Sequence, residues 1–177
     1  MEIQVDDVQI EAVRGDITSQ PDVDAVVNAA NAELRTGGGV AGAIHRAAGP
    51  GLEEECRPLA PIEPGEAVIT GGHGLPNPHV IHALGPVYGR DEPSDELLAA
   101  CYRNSLARAE EKELGSVAFP AISTGAFGYP MREAAEVAVS TLVEEAPGLE
   151  HVRRIRFCLF GEDALAAHVE ALEKHGG

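Results

Sequence analysis

Basic residues are scarce in this sequence of 177 residues. Lysine and arginine together number 13 against 29 acidic residues, which gives a formal net charge of −16 at pH 7. A charge of that sign repels duplex DNA, RNA and anionic membranes at long range, so nucleic-acid backbones are not expected partners. Only Lys112 and Lys174 are lysines, so a bound phosphate must be held mainly by backbone amides. We interpret the acidic residues as a solvated surface.

Long hydrophobic runs are also absent. No stretch of about 18 apolar residues, the length that crosses a bilayer, occurs in the sequence. The first seven residues are acidic and alternate in polarity, whereas a signal peptide begins basic and turns apolar. We therefore expect a cytoplasmic protein that makes no use of a membrane. With 44% hydrophobic residues, the chain is expected to form one domain over residues 1–177 and to bury roughly 70% of its unfolded surface.

The cysteines and histidines predict no metal site. Cys56, Cys101 and Cys158 are odd in number and widely spaced. They match neither a disulfide framework nor a metal pattern, and we interpret them as small buried residues. His79 and His82 are three apart on a predicted strand and face opposite sides, and no acid or cysteine lies at ligand spacing. No metal and no cofactor are expected.

Short apolar runs alternate with helical patterns along the chain. Apolar residues at every second position predict half-buried edge strands over residues 2–5 and 8–13. Runs between turn residues predict central strands at Asp24–Asn28, Ala67–Thr70, Val80–Leu84, Ser116–Pro120 and Ile155–Phe160. Helices are predicted over residues 39–48, 94–114, 131–145 and 162–174. Ser94 is expected to cap the second helix and Gly115 to stop it. The alternation predicts an α/β fold, a three-layer α/β/α sandwich with a central mixed, mostly parallel sheet and one antiparallel edge.

Polar turns follow several of the predicted strands. In an open parallel sheet, ligands bind beyond the carboxyl ends of the strands. The turns at that edge are Arg14–Thr18, Asn28–Gly42, Ser123–Gly128 and Phe160–Glu162. We expect these four loops to converge on one cleft.

A glycine cluster, GGGVAGA from Gly37 to Ala43, opens a predicted helix. Glycine lets the backbone approach a ligand, and the first helical turn offers unpaired N–H groups to a phosphate. Gly37, Gly39 and Gly42 satisfy the G-x-G-x-x-G fingerprint of dinucleotide oxidoreductases. However, eight residues separate the strand from the glycines, and no acid follows at a strand end. A GxxxxGK[ST] phosphate loop is absent, which disfavours nucleoside triphosphate hydrolysis.

Several motifs together resemble the macrodomain family over nearly the whole chain. They are GDI, NAAN, the triple glycine, HALGP and STGAFG, in the family's order and spacing. The segments Gly37–Gly49 and Ile81–Pro86 are most similar to the MacroD-like and archaeal branches. The resemblance implies binding of ADP-ribose, free or attached to a protein, metabolite or nucleic acid, and some members hydrolyse the linkage.

The resemblance implies that the adenine lies against the first and last loops. Asp16 is similar to the residue that accepts a hydrogen bond from the exocyclic amine, while the amide of Ile17 donates to the ring. Guanine presents a carbonyl there and would leave the acid unpaired. Phe160 matches a residue that packs near the adenine. The alternatives are that Asp16 only caps its turn and that Phe160 fills the core.

The resemblance also implies where the rest of the ligand lies. Asn28 and Asn31 resemble the distal-ribose asparagines, and Asn31 is the preferred direct contact because one of the pair can brace the loop. Gly38, Gly39 and Val40 would wrap one side of the diphosphate. The other side would be closed by the backbone N–H groups of Ser123, Thr124, Gly125, Ala126 and Phe127.

The side chains of Phe127 and His45 could each have either of two roles. Phe127 matches an aromatic residue that lies against the distal ribose, and it could instead anchor its loop to the domain. His45 lies one helical turn past Ala41. It could face the cleft as a base or buttress the glycine loop.

The sequence leaves two classes of function open. Hydrolytic MacroD-type members carry an aspartate directly after the glycine-loop valine, and here that position is Ala41. Losing a general base typically costs about 10² to 10⁴ in rate. Hydrolysis stays open because the substrate's own diphosphate could deprotonate a water, with Asn31 positioning substrate and water beside Gly39. We expect a metal-independent hydrolase of ADP-ribosyl esters, either O-acetyl-ADP-ribose or mono-ADP-ribosylated acidic side chains. The alternative is a non-catalytic ADP-ribose reader, and a third is an ADP-ribose-1″-phosphate phosphatase.

Overall fold

The computed structural model describes residues 1–176. Its strands are β1 (Glu2–Val5), β2 (Val8–Arg14), β3 (Ala25–Ala29), β4 (Ala67–Gly71), β5 (His79–Ala83), β6 (Ser116–Phe119) and β7 (Arg154–Leu159). Its α helices are α1 (Gly39–Ala48), α2 (Pro50–Cys56), α3 (Ser94–Glu111), α4 (Met131–Glu145) and α5 (Glu162–Gly176). Single-turn 3₁₀ helices at Arg57–Leu59 and Ala146–Gly148 follow α2 and α4. None of the helices in residues 1–176 has the length and apolar character needed to cross a membrane.

The strands form one mixed sheet in the order β1-β2-β7-β6-β3-β5-β4. The five inner strands are parallel to one another. Both edge strands, β1 and β4, pair antiparallel with their neighbours. The sequence predicted one antiparallel edge, and the second arises because residues 72–78 are too few for a crossover between parallel strands, which takes a dozen or more.

Helices cover both faces of the sheet, which confirms the predicted α/β/α sandwich. On one face α3, α4 and α5 pack on strand residues such as Val27 and Ile81, in the larger hydrophobic cluster. On the other face α1 and α2 pack on Val26 and Val80, in the smaller hydrophobic cluster. Neighbouring strand residues enter different clusters because successive side chains of a strand point to opposite faces.

The helices differ from the prediction at both ends of α3, at the end of α5, which extends to Gly176, and in the presence of α2. Ser94 is the first residue of α3 and not its cap, since Pro93 holds the N-cap position and the Ser94 hydroxyl donates to Asp91 O at 2.6 Å. The helix also ends three residues early, at Glu111, and Glu113 adopts a left-handed φ of 56°. Helix α2 was not predicted, because seven residues are too few to show a helical hydrophobic period.

The three cysteines are buried and unpaired, as predicted. Burial raises the pKa of the Cys56 and Cys158 thiols to about 11 and that of Cys101 to about 12. Since the thiolate is the reactive form, all three are inert at neutral pH and pack as small apolar groups.

Candidate functional site

The loops that follow the parallel strands meet along one edge of the sheet. β2, β7, β6 and β3 are successive neighbours. The segments after them therefore lie side by side in that order, as residues 15–18, 160–161, 120–130 and 30–38. Strands are spaced by about 4.8 Å, so β3 lies about 14 Å from β2. The four predicted loops therefore share one edge of the sheet, and the surface between them is termed the crevice below.

Asp16 closes the turn at the first end of the crevice. Its Oδ1 accepts hydrogen bonds from the Thr18 hydroxyl at 2.6 Å and the Thr18 main-chain N–H at 2.8 Å. These bonds, the hydroxyl bond foremost, lower the pKa of the carboxyl below its usual value, so it is ionised at neutral pH. The residue is exposed. Asp16 caps its own turn and keeps its second oxygen available to a ligand.

Phe160 directly follows β7, beside the first loop. The Gly15 N–H donates to Leu159 O at 3.0 Å, which joins the two segments. Arg14 Nε donates to Phe160 O at 3.3 Å, and Arg14 also pairs with Glu162 at 3.0 Å. These hydrogen bonds fix the main chain of Phe160, whereas the residue as a whole is 88% exposed. The alternative of core filling is therefore wrong, and the ring offers a free face for stacking.

The glycine cluster opens α1 at the other end of the crevice. Gly38 is the N-cap, and the Gly42 N–H donates to Gly38 O at 3.2 Å. The N–H groups of Gly39, Val40 and Ala41 have no acceptor within residues 1–176, as is usual at a helix start. Gly39 has a left-handed φ of +56°, and a Cβ at Gly38 or Gly39 would meet no atom within 4 Å. The backbone here is bare enough for a ligand to approach closely.

The other two glycines of the cluster are required by packing. A Cβ at Gly42 would lie 2.4 Å from Gly37 O, which no real side chain tolerates. A Cβ at Gly37 would lie 3.1 Å from Asn31 Nδ2. Close packing thus accounts for Gly42 and favours Gly37, and the left-handed φ accounts for Gly39, so the G-x-G-x-x-G spacing has local structural causes.

The loop after β6 supplies a second set of main-chain donors. Ser123 adopts a left-handed φ of 67°, and its hydroxyl donates to Pro86 O at 2.8 Å. The Thr124 hydroxyl and N–H both donate to Ala121 O, at 2.8 and 3.4 Å, so this predicted donor is engaged. The N–H groups of Gly125, Ala126 and Phe127 have no acceptor within residues 1–176. Three consecutive free donors can hold an anion.

Val40 and Phe127 connect the two sides of the crevice. Both are partly buried and pack against the smaller hydrophobic cluster. The glycine loop and the loop after β6 therefore adjoin above β3 and β6, which are hydrogen-bonded neighbours. Phe127 O also accepts a hydrogen bond from the Tyr88 N–H at 2.9 Å. Phe127 thus anchors its loop, and its side chain is only partly buried.

Asn31 braces the loop that leads to the glycines. Its Nδ2 donates to Arg35 O at 2.8 Å, and its Oδ1 accepts from the Arg35 N–H at 2.9 Å. A primary amide has two N–H donors and two acceptor sites. Asn31 therefore braces the loop, and each end of its amide retains one site, so its direct contact with a ligand stays a prediction.

Asn28 lies beneath the crevice and not on its surface. It is 1% exposed, and its Nδ2 donates to His82 Nδ1 at 3.1 Å. His82 Nε2 lies 3.0 Å from Thr70 Oγ1, which in turn lies 3.0 Å from Gly71 O. The threonine proton goes to the carbonyl, so the neutral His82 ring donates from Nε2 and accepts at Nδ1. This chain of hydrogen bonds fixes the Asn28 amide, whose Oδ1 finds no partner within residues 1–176.

His45 is a buried neighbour of this chain. It is 4% exposed, and its ring centroid lies 6.3 Å from that of His82. Burial lowers its pKa, so the ring is neutral at pH 7. A buried neutral ring on α1 corresponds to the predicted buttress of the glycine loop and not to a base that faces the cleft.

The buried histidines are expected to make stability depend on pH. Burial, assisted by His45, lowers the pKa of His82 from 6.5 to about 3. The unfolded chain binds this proton and the native state does not, so His82 stabilises the fold fully above pH 6.5 and progressively less toward pH 3. We expect this group alone to lower the free energy of unfolding by about 2 kcal/mol between pH 7.5 and pH 5. Urea unfolding at a series of pH values measures the slope.

The His82→Gln variant is the control for that slope. Glutamine keeps a donor and an acceptor but does not titrate, so the variant should lose less stability on acidification than the wild type. Equal slopes for the two proteins would contradict the assignment to His82.

The polar groups of the crevice suit a ligand that carries an anionic group and, beside it, a neutral hydrogen-bond donor. They are main-chain N–H groups, the amide of Asn31 and the carboxylate of Asp16. Among residues 1–176 no group of three or more His, Cys, Asp or Glu side chains is placed to hold a metal ion. Main-chain donors can bind a phosphate without lysine, and a carboxylate can accept from an amine.

Known proteins resemble this chain in sequence and in structure. A family model described as Macro domain matches residues 27–138. An O-acetyl-ADP-ribose deacetylase of Klebsiella pneumoniae is 45% identical over 173 residues, 95% of this chain and 98% of that protein. The ADP-ribose glycohydrolase MACROD2 of Xenopus laevis is 48% identical over 167 residues, 91% of this chain and 40% of that protein. A solved Oceanobacillus iheyensis macrodomain with ADP has a TM-score of 0.94 and 39% identity, covering 99% of this chain and 95% of that one.

Proposed function

Because this chain belongs to the macro domain family, we propose that it binds ADP-ribose in the crevice and hydrolyses ADP-ribosyl esters. The observation that carries the binding is the pair of free main-chain donor sets, one at the start of α1 and one in the loop after β6. A diphosphate between them would receive hydrogen bonds from both sides and the positive end of a helix dipole. Because such a site binds an anion through main-chain donors and not through basic side chains, it suits a chain with a net charge of −16.

The order of groups along the crevice supports a ligand with adenine at one end and a second ribose at the other. Asp16 and Phe160 follow β2 and β7, the donor sets follow β6 and β3, and Asn31 lies toward the far end. The length of about 14 Å between β2 and β3 fits two nucleoside-sized groups better than one. In this arrangement the free oxygen of Asp16 accepts from the adenine amine, and the exposed ring of Phe160 covers the base.

The relatives' names support hydrolysis as the reaction. For a mono-ADP-ribosylated acidic side chain, the bond between C1″ and the ester oxygen breaks through an oxocarbenium-like state, and the carboxylate leaves. A water oxygen then bonds to C1″ and gives its proton to the diphosphate. Asn31 aligns the ribose and the water through its unused donor and acceptor, and Gly39 leaves room for both. O-acetyl-ADP-ribose is the second proposed substrate.

A reader that binds ADP-ribose and releases it unchanged is the second candidate, and Ala41 favours it. This residue is the third of α1 and is 5% exposed, so a methyl group stands where a carboxylate would activate water. The imidazole nearest in sequence, that of His45, is buried and neutral. Hydrolysis would then depend on positioning and on the substrate's own phosphate.

Calorimetry with ADP-ribose tests the binding site. We expect a micromolar or tighter Kd for the wild type. Asp16→Ala should bind about 5- to 150-fold more weakly, since a hydrogen bond to a charged group contributes about 1 to 3 kcal/mol. Turnover is followed in the same preparations, on an auto-ADP-ribosylated protein and on O-acetyl-ADP-ribose.

Asp7→Ala is the matched control, because it removes the same charge from an exposed turn between β1 and β2. Equal affinities of the wild type and Asp16→Ala would place the ligand elsewhere. A change of the same size and sign in both variants would show that the effect does not come from contact between Asp16 and the ligand. Binding without product release from either substrate would decide for the reader.

A further inference from the structure

A buried arginine lies beneath the first loop of the crevice. Arg156 on β7 is 7% exposed although its side chain is charged. Its Nε donates to Glu11 Oε2 at 3.0 Å. Its two terminal nitrogens donate to the carboxylate oxygens of Asp22 at 2.8 and 2.7 Å. A guanidinium held at both ends in this way has little freedom to move.

The charges of this cluster are stable at neutral pH. The hydrogen bond from Arg156 is the main cause that lowers the pKa of Asp22. Burial raises the pKa of Glu11, but the bonds from Arg154 and Arg156 outweigh it and lower that pKa overall. The cluster is therefore a rigid, ionised anchor under the segment 15–22.

Gln20 links this anchor to the main chain of Asp16. Arg156 Nη1 donates to Gln20 Oε1 at 2.8 Å, and Gln20 Nε2 donates to Asp16 O at 2.9 Å. A Cβ at Gly15 would lie 3.3 Å from Gln20 Nε2, so the amide is packed closely against the turn. The side chain of Asp16 is bonded only to Thr18 within the same turn. Gln20 thus ties the turn to the sheet through a side chain.

We propose that Gln20 is a positioning residue for recognition of the base, with Arg156 as its anchor. The inference rests on the proposed binding of adenine by Asp16. The Asp16 carbonyl also accepts from the Ser19 N–H at 3.0 Å, a bond that closes the turn on itself. The bond from Gln20 links the same carbonyl to the sheet through Arg156, and so keeps the turn, and with it the free carboxylate oxygen, in one orientation. A fixed carboxylate accepts from an amino group at purine C6 and is left unpaired by a carbonyl there. A loosened turn lets the carboxylate rotate away, so the 6-amino purine loses its acceptor and binds more weakly, while the 6-oxo purine is little affected.

The test compares ADP with inosine diphosphate, which has a carbonyl in place of the amine. Calorimetry of the full chain gives the ratio of the two Kd values. We expect the wild type to prefer ADP, and Gln20→Ala to reduce that preference about 3- to 10-fold, the range for one lost neutral hydrogen bond. The Kd for inosine diphosphate should stay within about twofold of the wild type, because that ligand gains nothing from a fixed Asp16.

Asp22→Asn separates this role from a merely structural one. It removes the charge that Arg156 binds but leaves the contacts of Gln20 in place. We expect it to lower the thermal unfolding temperature more than Gln20→Ala does, and to keep the preference for ADP within about twofold of the wild type.

Three outcomes would overturn the inference, and they can be told apart. A wild type that does not distinguish the two diphosphates removes the proposed adenine recognition, and the role of Gln20 with it. If the wild type prefers ADP and Gln20→Ala prefers it to the same degree, the role of Gln20 is refuted and the recognition of adenine is not. A loss of preference in Asp22→Asn as large as in Gln20→Ala assigns the effect to the stability of the whole cluster.

Discussion

Replacing Gly39 by valine should weaken ADP-ribose binding about 100-fold, the upper part of the range for one hydrogen bond to a charged group. Gly39 has a φ of +56°, a region that a β-branched residue rarely enters. Its Cβ would also project into open space, next to the free N–H groups at the start of α1. The valine side chain would therefore both shift these donors and fill the volume assigned to the diphosphate. Calorimetric titration with ADP-ribose measures the loss.

Gly49→Val is the matched control for backbone strain. Gly49 lies between α1 and α2, has a φ of +88°, and has open space around its Cβ position. This variant should lose stability much as Gly39→Val does and bind ADP-ribose within about twofold of the wild type. If Gly39→Val binds as tightly as the wild type, the diphosphate does not lie against α1.

Restoring a carboxylate by Ala41→Asp should raise hydrolysis of a glutamate-linked ADP-ribosyl protein about 100-fold, the lower end of the range for a general base. A Cβ at Gly37 would lie 3.1 Å from Asn31 Nδ2 and 4.0 Å from the Ala41 Cβ, so position 41 and the Asn31 amide flank the same point. A carboxylate in the first turn of α1 is also favoured by the helix dipole. Single-turnover release of ADP-ribose gives the rate.

Ala41→Asn provides the comparison, because asparagine has the shape of aspartate without its basicity. It should release ADP-ribose at the wild-type rate. Equal acceleration by both substitutions would show that a hydrogen bond, and not a base, limits the rate. If the wild type and Ala41→Asp both stay at background while they bind ADP-ribose, the protein is a reader. Thermal unfolding of each variant confirms that it is folded before rates are compared.

Most of the fold could be predicted from the alternation of apolar runs and helical patterns. The predicted bounds of α1 and α4, residues 39–48 and 131–145, agree with the structure. The antiparallel pairing of β4 was missed, although the connection of residues 72–78 is too short for a crossover between parallel strands and could have predicted it. Helix α2 was missed because its stability comes from Leu52 and Cys56, which enter the smaller hydrophobic cluster.

The candidate site divides into a part that local sequence can predict and a part that it cannot. A glycine cluster before a helix predicts free main-chain donors without knowledge of the rest of the fold. The bond between Arg156 and Gln20 joins residues 136 apart in sequence, and each alone resembles an ordinary surface residue. Similarly, the exposure of Phe160 could not be predicted, since an aromatic residue at a strand end fits a core equally well.

In the proposed site, the groups that hold the diphosphate belong to the polypeptide backbone itself. Every residue except proline presents the same N–H, so most substitutions at Val40 or Ala126 would leave the bond donor in place. Substitutions along this rim that keep the packing of Val40 and the positive φ of Gly39 would therefore leave the proposed nucleotide site intact. A carboxylate at position 41 would be a separate change, so the proposed catalysis could be altered while the proposed binding persists.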